Sequence, residues 1–308
     1  MPGGSDTSAA KRALITGATS YIGLITLRQL LAAGWQVQVL ARSASDISRL
    51  ADIIVDHDIL RMDGTAEQLN AQVAASAPDV VFHFASLYLR EPAPDQVPEM
   101  IAANYTFGVQ LLEALRLTGN PVRFVNTGTG TQYFHSATPR PLNLYAASKQ
   151  AFTDTLAFYA EAEGFQAVSL ILFDTFGPED WRIKLLNAMF DALAGDRVLP
   201  LPEDDAELDL LYIDDAAAAF VLAGEKLLLG PDEIAGGVYA LSSGERRSIS
   251  DIVRVWENVS ENPLKVQWGG YDLPERRTTR LWQGPALPGW KPLLTFEQGL
   301  KKFLAERP

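Results

Sequence analysis

Three observations predict a doubly wound, parallel α/β sheet followed by a smaller C-terminal α/β lobe. Short continuous apolar runs alternate with helix-length stretches over the first two thirds of the chain, the pattern of strands covered by helices on both faces. A loop with glycines at 17 and 23 joins the first apolar run to the first helical stretch. After Phe173 the character changes. Gly177-Pro178 punctuates the chain, residues 199–209 are acidic and proline-containing, and the tail from about Pro263 is rich in Trp, Pro and Gly.

The elements follow in order. Ala13–Thr16 is an apolar run that ends on glycine, and the helical stretch Tyr21–Ala33 is closed by Gly34. Further strands are expected at 37–40, 53–55, 80–84, 122–125 and 167–173, with helices at about 65–76, 97–117 and 144–163. The alanine run 216–219 fits a helix after Asp214-Asp215, and a last helix is expected over 295–305. The predicted organisation is a disordered, polar leader at 1–10 and a dinucleotide-binding domain at 11–173 with a returning segment at about 210–245. Residues 174–209 and 246–308 form the lobe. Ligands of open α/β sheets lie at the carboxyl ends of the strands, so the expected site is the cleft between sheet and lobe.

Composition narrows the function. The 308 residues, 47% of them hydrophobic, suffice for a large core. No apolar run reaches the length of a membrane span, and the polar start lacks the apolar centre of a signal peptide, so a cytoplasmic protein is expected. The chain has no cysteine, which removes disulfides, thiolate catalysis and thiolate metal sites. Its three histidines, at 57, 83 and 135, are too scattered for a metal cluster, and none is expected. A net charge of -12 argues against nucleic acid and anionic membranes as partners.

The loop Thr16-Gly17-Ala18-Thr19-Ser20-Tyr21-Ile22-Gly23 stands at the first strand–helix junction. Glycines there permit a tight turn and let backbone amides approach a pyrophosphate at the helix N-terminus. Ser20 occupies the position of the middle glycine of the usual three; it is small and can donate a hydrogen bond, so the loop is expected to survive. The second strand ends Leu40-Ala41-Arg42-Ser43, with no acid before Asp46. An acid there would bond the ribose hydroxyls of NAD, whereas Arg42 and Ser43 suit a 2′-phosphate. NADP(H) is therefore favoured over NAD(H). Asp58-Ile59, placed after the third strand, are candidate adenine contacts.

Tyr145-Ala146-Ala147-Ser148-Lys149 places a phenol and an ammonium one helical turn apart on one face. A lysine so placed favours ionisation of the phenol, and a tuned phenol passes a proton to or from a carbonyl or alcohol oxygen. Among nine tyrosines the spacing alone recurs by chance; its weight comes from the loop upstream.

With these pieces in place the chain resembles the extended short-chain dehydrogenase/reductase family, the nucleotide-sugar epimerases, dehydratases and reductases, from about Lys11 to the C-terminus. The matching pieces are Thr16–Gly23, Asp58-Ile59, His83-Phe84-Ala85-Ser86, Asn104 with Gly108, Asn126-Thr127-Gly128-Thr129, Tyr145–Lys149, Phe176-Gly177-Pro178 and Tyr212-Ile213-Asp214-Asp215. The tail Gly289-Trp290-Lys291-Pro292 and Gly299-Leu300 is similar as well. The resemblance implies a Rossmann-type fold, with Tyr145 as general acid/base and Lys149 on the nicotinamide ribose, lowering the tyrosine pKa. Thr129, with Thr127 second, would hydrogen-bond the substrate oxygen, Thr127 would also contact the cofactor, and Asn104 would lie in the helix beside the site as one of the catalytic residues. Phe84, Ala85 and Ser86 would line the cofactor, Ser86 also reaching substrate. A homodimer through the helices at about 97–117 and 144–163 is implied too.

Departures from the family pattern bear on the substrate. Gly130-Thr131 replace the Asp-Glu pair of dehydratases, which argues against 4,6-dehydration. Leu208 and Ile171 stand where phosphate-gripping arginines are usual, and Asp174 replaces an asparagine that faces phosphate. Substitute phosphate contacts are Arg276, Arg277 and Arg280 from the lobe, with Arg182 and Lys184 near its start. Within the family the chain looks most similar to nucleotide-linked 4-keto-deoxysugar reductases of the CDP-abequose and CDP-paratose synthase type. The alternatives are an NAD-dependent nucleotide-sugar 4-epimerase, a reductase of a non-sugar carbonyl, and a redox sensor that binds NADP without turnover.

Overall fold

β1 (Arg12–Thr16) pairs in parallel with β2 (Gln36–Arg42) on one side and β4 (Val80–His83) on the other. The computed structural model describes residues 10–203, 206–271 and 274–306; the leader expected at 1–10 lies outside them except for Ala10. Outside β2 lies β3 (Ile59–Met62), and beyond β4 come β5 (Arg123–Thr129), β6 (Gln166–Leu172) and β10 (Val238–Leu241), every pair parallel. The order β3-β2-β1-β4-β5-β6-β10 reverses between β1 and β4, which opens a crevice at their carboxyl ends.

Both faces of the sheet are covered, which is why its strands read as unbroken apolar runs. On one face Leu24, Leu27 and Leu30 of α1 (Tyr21–Ala32) meet Phe220 and Ala223 of α7 (Ile213–Leu229) around Phe82. On the other, Leu69 and Val73 of α2 (Ala66–Ser76), Leu111 and Leu115 of α4 (Phe107–Leu117), and Phe152 and Leu156 of α5 (Leu144–Glu163) close over Phe124. Side-chain caps fix the helix starts: Ser20 accepts from Gly23 N, Thr65 from Gln68 N and Asn143 from Ala146 N. Gly164 ends α5 at φ +72°, where a residue without Cβ is favoured.

Two elements differ from the expectation. The strand expected at 53–55 is a turn, and the third strand lies six residues later, at Ile59–Met62. Ile54 is buried against the core under the loop after β2, so its apolar character serves burial rather than pairing. The helix expected over 97–117 is interrupted. α3 (Val97–Ile101) passes through a π-helical turn at Ala102–Thr106 before α4 begins; such a widened turn re-aims side chains, here Asn104.

The lobe has its own core. β7 (Asp174–Phe176) pairs in parallel with β9 (Glu207–Tyr212), and β9 pairs antiparallel with β11 (Arg246–Ser248). β8 (Leu199–Leu201) pairs with β12 (Val266–Trp268). Met189 of α6 (Leu185–Ala194), Trp256 of α8 (Ile249–Ser260) and Phe303 of α9 (Phe296–Ala305) gather around Phe176 and Tyr212. β9 runs straight into α7, which returns beneath the large sheet and leads to β10 at its edge. No helix among the described residues is long and apolar enough to cross a membrane.

Candidate active site

A cavity of about 630 Å³ opens at the carboxyl ends of β1, β2 and β3. The candidate cofactor residues Gly17, Thr19, Arg42, Ser43, Ala85 and Ser86 line it, together with Met62, Asp63 and Glu99, which the sequence did not single out. Gly17 adopts φ +71°, and a Cβ there would lie 2.4 Å from Ala85 N, so this turn accepts glycine alone. Ser20 has ordinary extended geometry; its hydroxyl donates to Gly17 O at 2.8 Å and accepts from Gly23 N at 3.2 Å. The serine closes the loop from within, and Gly17, Ala18 and Thr19 remain toward the cavity. The cradle thus fits a dinucleotide. Gly17→Ala should therefore lose most dinucleotide affinity and lower the melting temperature, read by cofactor titration and thermal melts; unchanged affinity would contradict this account of the turn.

Several predicted cofactor residues lie elsewhere. Asp58 and Ile59 stand at the amino end of β3, not after it; Met62 and Asp63 occupy the carboxyl end. The Tyr21 hydroxyl donates to Pro178 O at 2.7 Å and its ring is buried, away from the cavity. Ser20, Ile22 and Gly23 are absent from the cavity wall as well. The Phe84 ring packs edge-on against Phe220 at 4.7 Å, and the Thr127 side chain is buried in the sheet.

Beneath the crevice runs a polar row set by strand register. Thr16 lies beside His83, His83 beside Asn126 and Asn126 beside Ser169. Thr16 Oγ1 and His83 Nδ1 are 2.8 Å apart, and Asn126 donates to Ser169 Oγ at 3.0 Å. His83 is fully buried among Phe107, Phe124 and Phe152. Burial first, and the charge of Lys149 second, push its pKa down to about 3, so it is a neutral packing residue.

The proton-transfer group is assembled from three segments. Tyr145 lies in the first turn of α5, and the Ser86 side chain, from the segment after β4, is close enough to lower its pKa. The Ser86 hydroxyl donates to Asn104 Oδ1 at 3.1 Å. Asn104 is buried; it also accepts from Leu87 N at 2.7 Å and donates to Leu87 O at 3.0 Å and to Ser148 Oγ at 3.2 Å. All of its hydrogen-bonding capacity fastens the Ser86–Leu87 segment to α5. The Tyr88 ring meets Tyr145 edge-on at 4.9 Å. Burial raises the phenol above its usual range; the Ser86 side chain and the charge of Lys184 oppose this, and Tyr88 adds to it. The resemblance assigns a lowering to Lys149; the charge of Lys184 adds a small one. Lys149 is 2% exposed, and burial lowers its pKa to about 8. Thr129 ends β5 and caps the short turn that follows, with its hydroxyl 3.0 Å from that of Thr131.

A second cavity, about 490 Å³, lies between the segment after β4 and the lobe. Tyr88, Arg90, Asp174 and Lys184, with Thr175, Asp180, Asn187 and Tyr271, supply its polar part; Phe176, Leu185, Leu208, Leu210 and Ile249 supply apolar wall. Two predicted phosphate contacts are engaged elsewhere. Arg182 grips Asp180 through Nε and Nη2, each at 2.7 Å, and also donates to Thr175 O at 2.7 Å. Arg276 donates to Leu142 O at 2.6 Å and Pro141 O at 3.0 Å, with its guanidinium over the Phe134 ring. Both arginines satisfy protein carbonyls and fasten loops. Asp174 and Lys184 do face the cavity, joined at 2.7 Å.

The sheet, the glycine loop and the Tyr145 constellation define an NAD(P)-dependent enzyme of the oxidoreductase and epimerase class. Residues 13–235 match the NAD dependent epimerase/dehydratase family, and the chain belongs to it. It is 22% identical to CDP-abequose synthase of Yersinia pseudotuberculosis, over 84% of this chain and 88% of that one. It is 25% identical to UDP-glucose 4-epimerase of Mycolicibacterium smegmatis, over 94% and 96%. Among solved structures, UDP-glucose 4-epimerase of Thermus thermophilus in complex with NAD superposes with TM-score 0.76, at 23% identity, over 96% of this chain and 98% of that one.

Proposed function

We propose that the protein uses NADPH to reduce a keto group on a nucleotide-linked deoxysugar, with Tyr145 as general acid. One observation carries this reading: neighbours of Tyr145 line both cavities. Ser86, near its phenol, lines the first, and Tyr88, against its ring, lines the second. NADPH would supply the hydride. Gly17 to Thr19 would hold its pyrophosphate, Arg42 and Ser43 its 2′-phosphate, and Lys149 its nicotinamide ribose. Tyr145 would protonate the forming alkoxide while Thr129 orients the oxygen, fixed donors aimed at developing charge. The lobe would position the substrate. The likeness to CDP-abequose synthase supports the substrate class.

The test is to screen 4-keto-6-deoxy nucleotide sugars for stoichiometric NADPH oxidation; no consumption with any of them would remove the proposal. Arg42→Ala should raise the KM for NADPH about tenfold, the worth of a charge-assisted hydrogen bond, and leave that for NADH unchanged. Equal effects on both cofactors would end the 2′-phosphate assignment.

A second reading rests on Glu99. It lines the same cavity and sits 3.9 Å from the Arg42 guanidinium, and a carboxylate there opposes a 2′-phosphate. This favours NAD and, with it, a 4-epimerase that returns its hydride. Net cofactor consumption separates the two: a reductase shows it and an epimerase does not. For assembly we propose a homodimer through α4 and α5, which expose Leu117, Leu144 and Phe158; light scattering at the monomer mass would refute it.

A further inference from the structure

An ion pair stands in the wall of the second cavity. Lys184 immediately precedes α6, and Asp174 begins β7; their charged groups are 2.7 Å apart and both line the cavity. Tyr88 lines it with them and holds its ring against Tyr145. Tyr88, from the segment after β4, touches the Tyr145 ring, and Lys184 with its partner Asp174 from the lobe lines the same cavity as Tyr88, as do Arg90, Asp180 and Tyr271. Lys149 follows one turn on along the phenol's own helix.

We propose that Lys184 is a positioning residue for proton transfer at Tyr145, acting from the substrate side, and that Asp174 sets how much of its charge the phenol feels. This rests on the reading of Tyr145 as the general acid. The two lysines would then divide the work. Lys149, buried one turn along the phenol's helix, would serve the nicotinamide ribose, as the resemblance implies. Lys184 stands in the substrate cavity and supplies the field that favours the phenolate left after protonation of the substrate oxygen. The asparagine that the family carries at position 174 would leave Lys184 unneutralised. A carboxylate there holds the ammonium in place and attenuates its field. The direction of the charge effects agrees: Lys184 lowers the Tyr145 pKa, and Asp174 raises that of Lys184. A bound substrate would also reach the pair. An ammonium and a carboxylate side by side offer donors and an acceptor to the vicinal hydroxyls of a sugar.

The test does not require the substrate to be known. Phenolate absorbance is titrated in the full-length protein, and each variant is subtracted from the same variant carrying Tyr145→Phe, which isolates Tyr145 among the nine tyrosines. Lys184→Gln should move the Tyr145 midpoint to higher pH, cutting the phenolate fraction at a fixed pH below it about threefold or more. Asp174→Asn should move the midpoint to lower pH, and Lys184→Arg should leave it near wild type. A merely structural pair would shift melting temperature and leave all four midpoints together; coincident midpoints would overturn the inference. That failure would leave the general-acid reading intact, because the latter falls only if Tyr145→Phe alone retains turnover.

Discussion

Tyr145→Phe should reduce turnover by about 10²–10⁴-fold, the usual contribution of a positioned general acid, while cofactor affinity and melting temperature stay close to wild type. The substitution removes one oxygen. The ring keeps its edge-on contact with Tyr88, and Asn104 still fastens the Ser86–Leu87 segment through the Leu87 backbone and Ser148. The loss would therefore be chemical. The pH profile carries the sign. Burial raises the phenol above its usual range, so it is protonated at neutral pH and is ready as an acid. Reduction should hold its rate through neutral pH and fall as the pH rises through the Tyr145 pKa. The reverse oxidation, which needs the phenolate, should rise over the same range. Steady-state rates in both directions against pH would check this. A Tyr145→Phe protein that keeps its rate would mean that another group moves the proton.

The large sheet and the Tyr145–Lys149 helix were legible because local signals and tertiary packing agree there. Asn143 caps α5 and Gly164 closes it, so the helix observed matches the 144–163 pattern. Gly17 is dictated by a positive φ and by the backbone of Ala85, constraints that any sequence forming this turn must respect. The third strand was misplaced because Ile53-Ile54-Val55 has strand-like residues, but Ile54 buries against the core in a turn. The true edge strand, Ile59–Met62, carries Arg61, which donates to the carbonyls of Arg42 and Ser45. That misplacement hid Asp63 and put Asp58 in its stead. Arg182 and Arg276 were misread for another reason. A guanidinium looks the same in sequence whether it meets a ligand or a protein carbonyl, and only packing brings Asp180, Pro141 and Leu142 within reach. The pairing of Asp174 with Lys184 across ten residues was likewise invisible, although both were named separately.

Lys149→Met should separate stability from function in opposite directions. Lys149 is buried, and burial alone lowers its pKa from the usual 10.5 to about 8. A folded-state pKa below the unfolded one means that the unfolded chain binds more protons between those values, so stability rises with pH through that window. Below about pH 8 the folded protein carries the full cost of keeping an ammonium out of water, on the order of 3 kcal/mol for a shift of this size. Methionine has similar length and no charge to bury. Without cofactor, Lys149→Met should therefore melt several degrees above wild type at pH 7, and the gap should narrow toward pH 10. With saturating NADPH the order should tighten or reverse, because cofactor stabilises in proportion to its affinity and wild type would keep the lysine bond to the ribose. Turnover should fall at least a hundredfold. Melting curves at two pH values, with and without NADPH, make the comparison. A wild type more stable than Lys149→Met at pH 7 in the absence of cofactor would mean that the buried ammonium is matched by a partner strong enough to offset its desolvation.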